Sequence, residues 1–558
     1  METEAETEEE RMGLGTWAAE TAERTEFEYL VVGGGTAGAL LATRLAEAGR
    51  DVALIEWGPD DEHEPRARSL RLWDQMLEGE YDLDYRSKPN RRGNSHIRLA
   101  RLRILGGCST ANTMIAWRPL RRDLEEWAGL GADGWGPDDV LPYYERLKTP
   151  IHRVAPADRN AFLADVVKSA STALGVPEQD RWNDGRLDER PTGAGFFEVG
   201  YTPETNLRAS TSIHYLHPAR AAGTGPRVLT GLRAVRVVLD GEPVRATGNP
   251  VRATGDPVRA TGQPVRATGV VVRDSQRREF EFRASAEVIV CCGAIDSARL
   301  LQLSGIGPRP VLEAAGVPVL ADLPGVGENL QDHVEGLVVW EARQSPPPEC
   351  ASGWDAGAMI TLGAGNRPDV MMHFPVEPWA VHAERYLAEH GLEPLPREIV
   401  AIAPNVARPR SRGRTWIESA DPDAPPAIDY QSFTDADGHD ERMLLAGVRL
   451  ARSVGLTEPM RSWLVREVFP GPRVVADEEL SAVQRAVHQT VYHVSGTCRI
   501  GRAGDTGAVV DSRLRVHGVA GLRVADASVF PTLTSVNPVV TVMVVAERAA
   551  DLITQPAK

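Results

Sequence analysis

Gly33-x-Gly35-x-x-Gly38, followed by Glu56, is the combination of residue types and spacing in this chain that most directly implies chemistry. Gly33 and Gly35 permit a sharp turn whose backbone N–H groups can approach a pyrophosphate, and a helix N-terminus behind the turn favours that negative charge. Gly38 allows helix and strand to pack closely. A carboxylate at Glu56 can accept both hydroxyls of an adenosine ribose, and an acid there favours FAD or NAD over NADP.

The elements that must position these residues are legible around them. Tyr29-Leu30-Val31-Val32 is an apolar β-type run, an Ala/Leu-rich stretch at helical spacing follows the glycines, and Gly49 turns the chain into a second apolar run closed by Glu56. Ala286 to Ala294 is a continuous apolar run of the kind found in buried parallel strands, and Ser297 to Leu303 continues it at helical spacing. Gly521 to Ala527 is another such strand, and a last helix runs from about Pro538 to Thr554, with Pro suited to its first position. Arg227 to Val238 is β-rich, with Ala234 placed to edge an adenine pocket. Residues 114 to 200 are expected to form helices and loops, including Asp138 to Tyr144 and Phe162 to Ala173. From Leu337 to about Val487, alternating runs at Leu337–Trp340, Val370–His373 and Thr415–Glu418, with a helix at Glu441–Val454, predict an antiparallel sheet with flanking helices. The expected fold class is therefore α/β, with a Rossmann-type cofactor domain and a second, α+β substrate domain built on an antiparallel sheet.

Composition narrows the function classes. The 558 residues are 42% hydrophobic and 25% charged, as in an ordinary globular protein, and the net charge of −16 disfavours nucleic acid and anionic membrane as partners. No run of about eighteen apolar residues is present to span a bilayer. The opening METEAETEEERMG lacks signal-peptide character and reads as an acidic tail. Cys108, Cys291, Cys292, Cys350 and Cys498 follow neither metal-site nor disulfide-framework spacing, so no metal is expected and a cytoplasmic location is. Four tandem copies of Gly-x-Pro-Val-Arg-Ala-Thr fill residues 241–268. A Pro and a Gly in every copy exclude a continuous helix, and the repeat is predicted to be an irregular surface insertion without a catalytic role.

Over nearly its whole length, tail and repeat apart, the chain resembles the glucose-methanol-choline (GMC) family of flavin oxidoreductases. The opening glycine motif, Leu105-Gly106-Gly107-Cys108-Ser109, the stretch Gly293 to Gly307, and His493-Val494-Ser495-Gly496-Thr497 with Asp526 to Asn537 appear in the family's order. The resemblance implies FAD, held by Gly33, Gly35, Thr36, Gly38, Glu56, Trp57, Gly106, Gly107, Ser109, Asn112, Ala234, Asp526, Ala527, Pro538 and Val539. It also implies oxidation of a primary alcohol by hydride transfer to flavin N5, with O2 or another compound as acceptor, and leaves a homodimer open.

Within the family the chain is most similar to the choline-oxidising members, on Asp332 to Gly336, Arg367 to His373, Thr490 to His493 and Ser535 to Pro538. That similarity implies His493 as base or alkoxide stabiliser, with Asn537 and His373 holding the substrate oxygen. It implies a pocket for a quaternary or amino alcohol from Trp73, Trp354, Tyr492, Glu335, Thr113 and Val491. Taken singly, the tryptophans are ordinary packing residues, Glu335 a solvated glutamate and His373 a structural histidine; the joint match gives them roles. Ala111 stands where choline-oxidising relatives carry a histidine bonded to the flavin, so FAD is expected to be noncovalent. An uncharged aryl, furanic or sugar alcohol, and a non-catalytic flavoprotein with a binding role, remain as alternatives. The expected division is an acidic tail (1–26), FAD-binding segments at 27–160, 206–335 and 488–558, and substrate-domain segments at 161–205 and 336–487.

Overall fold

The structure is a computed structural model that describes residues 24–240, 265–363 and 365–555. Its first sheet is built on β1 (Glu26–Val32), which lies between β2 (Val52–Ile55) and the long strand Glu279–Val290, parallel to both. Val31 aligns with Leu54 on one side and Ile289 on the other, and all three are buried, as expected for a parallel sheet covered on both faces. Arg227–Leu229 extends the sheet beyond β2, and Leu522–Val524 runs parallel beside Val288–Val290. On the far side, Arg233–Leu239 and Val265–Arg273 add antiparallel strands.

Helix α1 (Thr36–Glu47) follows the glycine turn. A Cβ on Gly38 would sit 1.9 Å from the Gly33 carbonyl oxygen, so only glycine lets the helix lie this close to the strand end. The C-terminal helix, Val539–Thr554, packs on α1. Across their contact, Arg44 donates to the fully buried Glu547 at 2.7 and 3.0 Å.

A second, antiparallel sheet runs in the order Leu464–Phe469, Val338–Ala342, Ile399–Val406, Val370–Phe374, Ala356–Ile360 and Gly193–Phe196. The short strand Val334–Glu335 joins it through Glu335 opposite Asn405, and carries Gln489–Thr490 on its other edge. Helix His439–Gly455 packs against this sheet.

Four sequence expectations are corrected. The 114–200 region contains strands as well as helices, because Gly193–Phe196 pairs with Ala356–Ile360 and Glu198–Thr202 pairs with Ile151–Arg153. Thr415–Glu418 does not enter the large sheet: Arg414–Trp416 pairs with Ala427–Asp429 in a two-stranded hairpin. The acidic tail lies outside the described residues as far as residue 23, but its expected end is part of the sheet, since Thr25 accepts from the Arg283 amide at 2.8 Å and β1 begins at Glu26. Residues 241–264 of the repeat also lie outside the described residues. Its last four residues are not irregular: Val265–Thr268 begin a strand, with Ala267 opposite Leu239 and Val265 opposite Val519.

Candidate active site

A continuous cavity of about 330 Å³ runs from the glycine turn at the end of β1 to His373 and Glu335 on the second sheet. At the first end Gly33, in a left-handed conformation (φ 99°), aims the chain into α1, whose N-cap is Gly35. Glu56 is buried, and its two oxygens accept from the amides of Gly34 and Gly58 at 2.7 Å each. Burial pushes its carboxyl up to about 7. A carboxylate has about four acceptor sites, so ribose hydroxyls can still be received. The loop between Leu229 and Arg233 clasps this residue, with the Leu232 amide donating to the Glu56 carbonyl at 3.0 Å. Arg233 lies 4.0 Å over the Trp57 ring, and with Leu232 and Ala234 it lines this end of the cavity.

The Gly106–Thr113 loop forms the opposite wall. A Cβ on Gly107 would fall 2.7 Å from Gly35 Cα, so the two glycine turns meet backbone to backbone. Asp526 fastens the C-terminal segment, its carboxylate accepting from the Gly293 amide (2.8 Å), Ser297 Oγ (2.5 Å) and the Ser528 amide (2.8 Å). Asn537, Pro538 and Val539 bring the N-terminus of the last helix to the cavity. These features suit FAD: a dipole and free amides for the pyrophosphate, an acid for the ribose, and a slot for the ring system.

Most residues proposed from the sequence line this cavity: Gly33, Gly35, Thr36, Glu56, Trp57, Gly107, Asn112, Ala234, Asp526, Ala527, Pro538 and Val539 at the cofactor end, with Trp73, Ala111, Thr113, Glu335, Trp354, His373, Val491, Tyr492, His493 and Asn537 beyond. Gly38, Gly106 and Ser109 do not. Gly38 serves helix packing. The Gly106 amide binds the Gly34 carbonyl at 2.8 Å, and buried Ser109 turns its hydroxyl to the Gly106 carbonyl at 2.6 Å. Behind this loop the fully buried Arg208 donates to the carbonyls of Ser109 and Asn112, and burial lowers its guanidinium to about 9.

At the centre, His493 and Asn537 meet, Asn537 Nδ2 lying 3.3 Å from His493 Nε2. Their orientation comes from residues to which the sequence had given no role. His333 Nε2 faces the carbonyls of Thr534 (3.0 Å) and Ala407 (3.1 Å), which can only accept, so that nitrogen carries the proton. Burial lowers His333 to about 4, leaving its ring neutral and Nδ1 an acceptor. His493 Nδ1, 2.7 Å away, must therefore be the donor, which leaves His493 Nε2 unprotonated with its lone pair facing Asn537 Nδ2. Burial, reinforced by His333, His373 and Arg101, holds His493 well below the ordinary imidazole range. Trp117 Nε1 donates to Asn537 Oδ1 at 2.8 Å and so fixes which end of the amide faces His493.

His373 and Glu335 form a buried pair, Nδ1 to Oε2 at 3.0 Å, and Gln489 Nε2 donates to the other Glu335 oxygen at 2.7 Å. Strand register places Glu335 opposite Gln489, and Gly357 opposite His373 leaves room for the Phe197 ring. His373 Nε2 is buried with no hydrogen-bond partner among the described residues. Beyond this pair stand Trp73 and Trp354, ring centroids 6.4 Å apart, with Trp379, missed in the sequence, 5.2 Å from Trp354. His333 stood inside a quoted motif and was recoverable as a polar residue beside Glu335. Nothing local in the sequence marks Trp117 or Trp379.

GMC oxidoreductase family patterns match residues 27–335 and 409–546. The chain is 40% identical to choline oxidase from Arthrobacter globiformis over 549 residues, covering 95% of this chain and 94% of that one. It is 30% identical to an oxygen-dependent choline dehydrogenase from Photobacterium profundum, covering 95% and 93%. Among solved structures it is similar to pyridoxine 4-oxidase from Mesorbium loti, with TM-score 0.81, 26% identity, and coverage of 94% and 98%. Among the described residues no helix is long and apolar enough to cross a membrane. The chain belongs to the GMC oxidoreductase family, flavoproteins that oxidise alcohols.

Proposed function

We propose that this enzyme oxidises choline, or a related quaternary or amino alcohol, with noncovalently bound FAD and O2 as electron acceptor. The observation that carries the reading is one cavity joining the dinucleotide cradle, the His493–Asn537 pair, and a wall of tryptophans with Glu335. The similarity to choline oxidase supports the same substrate class.

FAD, which Gly33, Gly35, Glu56, Gly107 and the Asn537–Val539 segment would hold, would supply a two-electron acceptor for the hydride leaving the alcohol carbon. The protein does the rest. His493 Nε2, unprotonated because His333 holds the proton on the other nitrogen, accepts the hydroxyl proton. Asn537 Nδ2 donates to the developing alkoxide, and His373 Nε2 is free to meet the same oxygen. Trp73, Trp354 and Tyr492 offer aromatic faces to a trimethylammonium head, which has no N–H to donate, and Glu335 supplies the negative charge. Thr113 and Val491 bound the space beside the reacting carbon. A second oxidation, of the hydrated aldehyde to the acid, uses the same groups. Noncovalent FAD follows from Ala111, whose methyl group sits in an apolar cluster with Ala67, Met76 and Ile104 and has no atom to form a flavin bond. Five free cysteines fit a cytoplasmic enzyme.

Anaerobic mixing with choline, amino alcohols, sugars and benzyl alcohols tests the substrate: choline should bleach the flavin fastest, and preferential bleaching by an uncharged alcohol would refute the cationic reading. Admitting air should restore the colour within turnover time; failure would exclude O2 as acceptor.

A further inference from the structure

Trp354 is the hub of the aromatic wall. Its ring touches those of Trp73 (centroids 6.4 Å), Trp379 (5.2 Å) and His373 (5.7 Å), all edge to face. The turn that presents it is firmly built. Asp355, buried, accepts from the amides of Ala351 (2.7 Å) and Ser352 (2.8 Å), and Trp73 Nε1 donates to the Ser352 carbonyl at 2.9 Å. Arg71 Nε donates to the Cys350 carbonyl at 3.1 Å.

Glu377 lies over this turn. A Cβ on Gly353 would stand 2.0 Å from Glu377 Oε1, so the carboxyl occupies the space that glycine vacates. Its Oε2 and Trp354 Nε1 are both buried and, among the described residues, neither makes a hydrogen bond, while the nearby indole N–H favours the charged form of the carboxyl. A buried carboxyl placed against the hub of an aromatic wall is costly unless something favours its charge. A cation on the wall would do so.

We propose that Glu377 is a second carboxylate of the cation pocket, acting through Trp354 to set the affinity for a quaternary ammonium head. The proposal rests on the cationic-substrate reading above. A negative charge at the indole N–H edge pushes electron density into the ring, making its face more negative, and so attracts a cation there both through the ring and directly. Glu335, on the other side of His373, is held by His373 and Gln489 and supplies the first charge of the pocket; Glu377 adds a second behind Trp354. The charged and titratable groups facing Glu377 are Asp74 from the 70–76 turn, Asp355 and the Cys350 thiol from the 350–355 turn, Arg71 beyond Cys350, and His373 across Trp354. Burial, with Asp355 and Asp74 adding like charge, raises Glu377 to about 7. Its charge therefore develops across neutral pH, and cation binding tightens as pH rises through that range.

Tetramethylammonium, whose charge is the same at every pH, is the probe, used as an inhibitor competing with choline on the FAD-loaded enzyme. Between about pH 6 and about pH 8.5 its inhibition constant should fall about threefold to tenfold. In Glu377→Gln it should stay at the weak, low-pH value throughout, and Glu377→Asp should restore a step. Asp74→Asn, an exposed change, should move the midpoint to lower pH by removing a like charge. A wild-type step retained in Glu377→Gln, or a midpoint unmoved in Asp74→Asn, overturns the proposal while leaving the cationic substrate intact. No inhibition of the wild type at any pH overturns both.

Discussion

His333 and His493 face each other through their Nδ1 atoms at 2.7 Å, and the direction of that bond decides which nitrogen of His493 is left unprotonated at the cavity. His333→Ala removes the acceptor that fixes the tautomer. Flavin content should be retained while the rate of anaerobic flavin reduction by choline falls roughly a hundredfold. Stopped-flow measurement decides it, and an unchanged rate would show that His493 needs no such partner.

Trp117 reaches Asn537 with one N–H and packs against Trp182 and Phe197 at 5.3 Å each. Trp117→Phe keeps much of the packing and frees the amide to turn. Flavin reduction should slow by about fivefold to fiftyfold, with the loss in kcat larger than the change in KM. A change in KM alone would place Trp117 in substrate binding.

Glu335→Gln removes the charge nearest the expected ammonium group. Choline should bind roughly tenfold or more weakly, whereas 3,3-dimethylbutan-1-ol, its uncharged counterpart, should lose far less. Equal losses for the two would assign Glu335 to His373 alone.

Acid precipitation of the purified enzyme should release all of its flavin into the supernatant, because Ala111 and its apolar neighbours offer no bonding atom. Yellow colour held in the pellet would identify another attachment point in the cavity wall.

His488 is fully buried with both ring nitrogens unpartnered, edge-on to Phe433 at 5.0 Å, and burial depresses it to about 3; the same cause lowers His333 and His382 to about 4. An unfolded histidine titrates near 6.5, so above that pH neither state gains a proton. Below it the unfolded chain takes protons that the native rings refuse, and stability falls as pH drops from about 6.5 toward the folded values. Glu56, Asp332 and Glu377, raised to about 7, act in the opposite sense, so the effect is read as a difference: between about pH 6.5 and about pH 4 the melting temperature of the wild type should fall relative to that of His488→Leu. An identical slope in the variant would rule this residue out as a source of acid sensitivity.

The cofactor end was legible because glycine positions and an apolar βαβ rhythm are local properties: Gly33, Gly35 and Glu56 stand where that rhythm puts them. The second sheet was only partly so. Gly193–Phe196 contains little to suggest a strand and becomes one through pairing with Ala356–Ile360, a contact far away in the chain. Thr415 alternates like a sheet strand yet finds only a hairpin partner. The residues at the centre followed a similar divide. His493 and Asn537 belong to a recurring motif, whereas Trp117 and Trp379 arrive from distant segments and owe their places to tertiary packing and, for Trp117, to its hydrogen bond with Asn537.

A Cβ on Gly107 would fall 2.7 Å from Gly35 Cα, whereas one on Gly35 would keep 3.8 Å from Gly107 Cα, so the close approach excludes a side chain at Gly107. Position 107 therefore cannot take a side chain without a shift of the glycine turn, and that part of the cavity wall stays fixed in any variant that keeps the turn. Diversification toward other alcohols is thereby channelled to the far wall, where Trp73, Trp354 and Trp379 are side chains on turns and each can be exchanged without moving the cofactor.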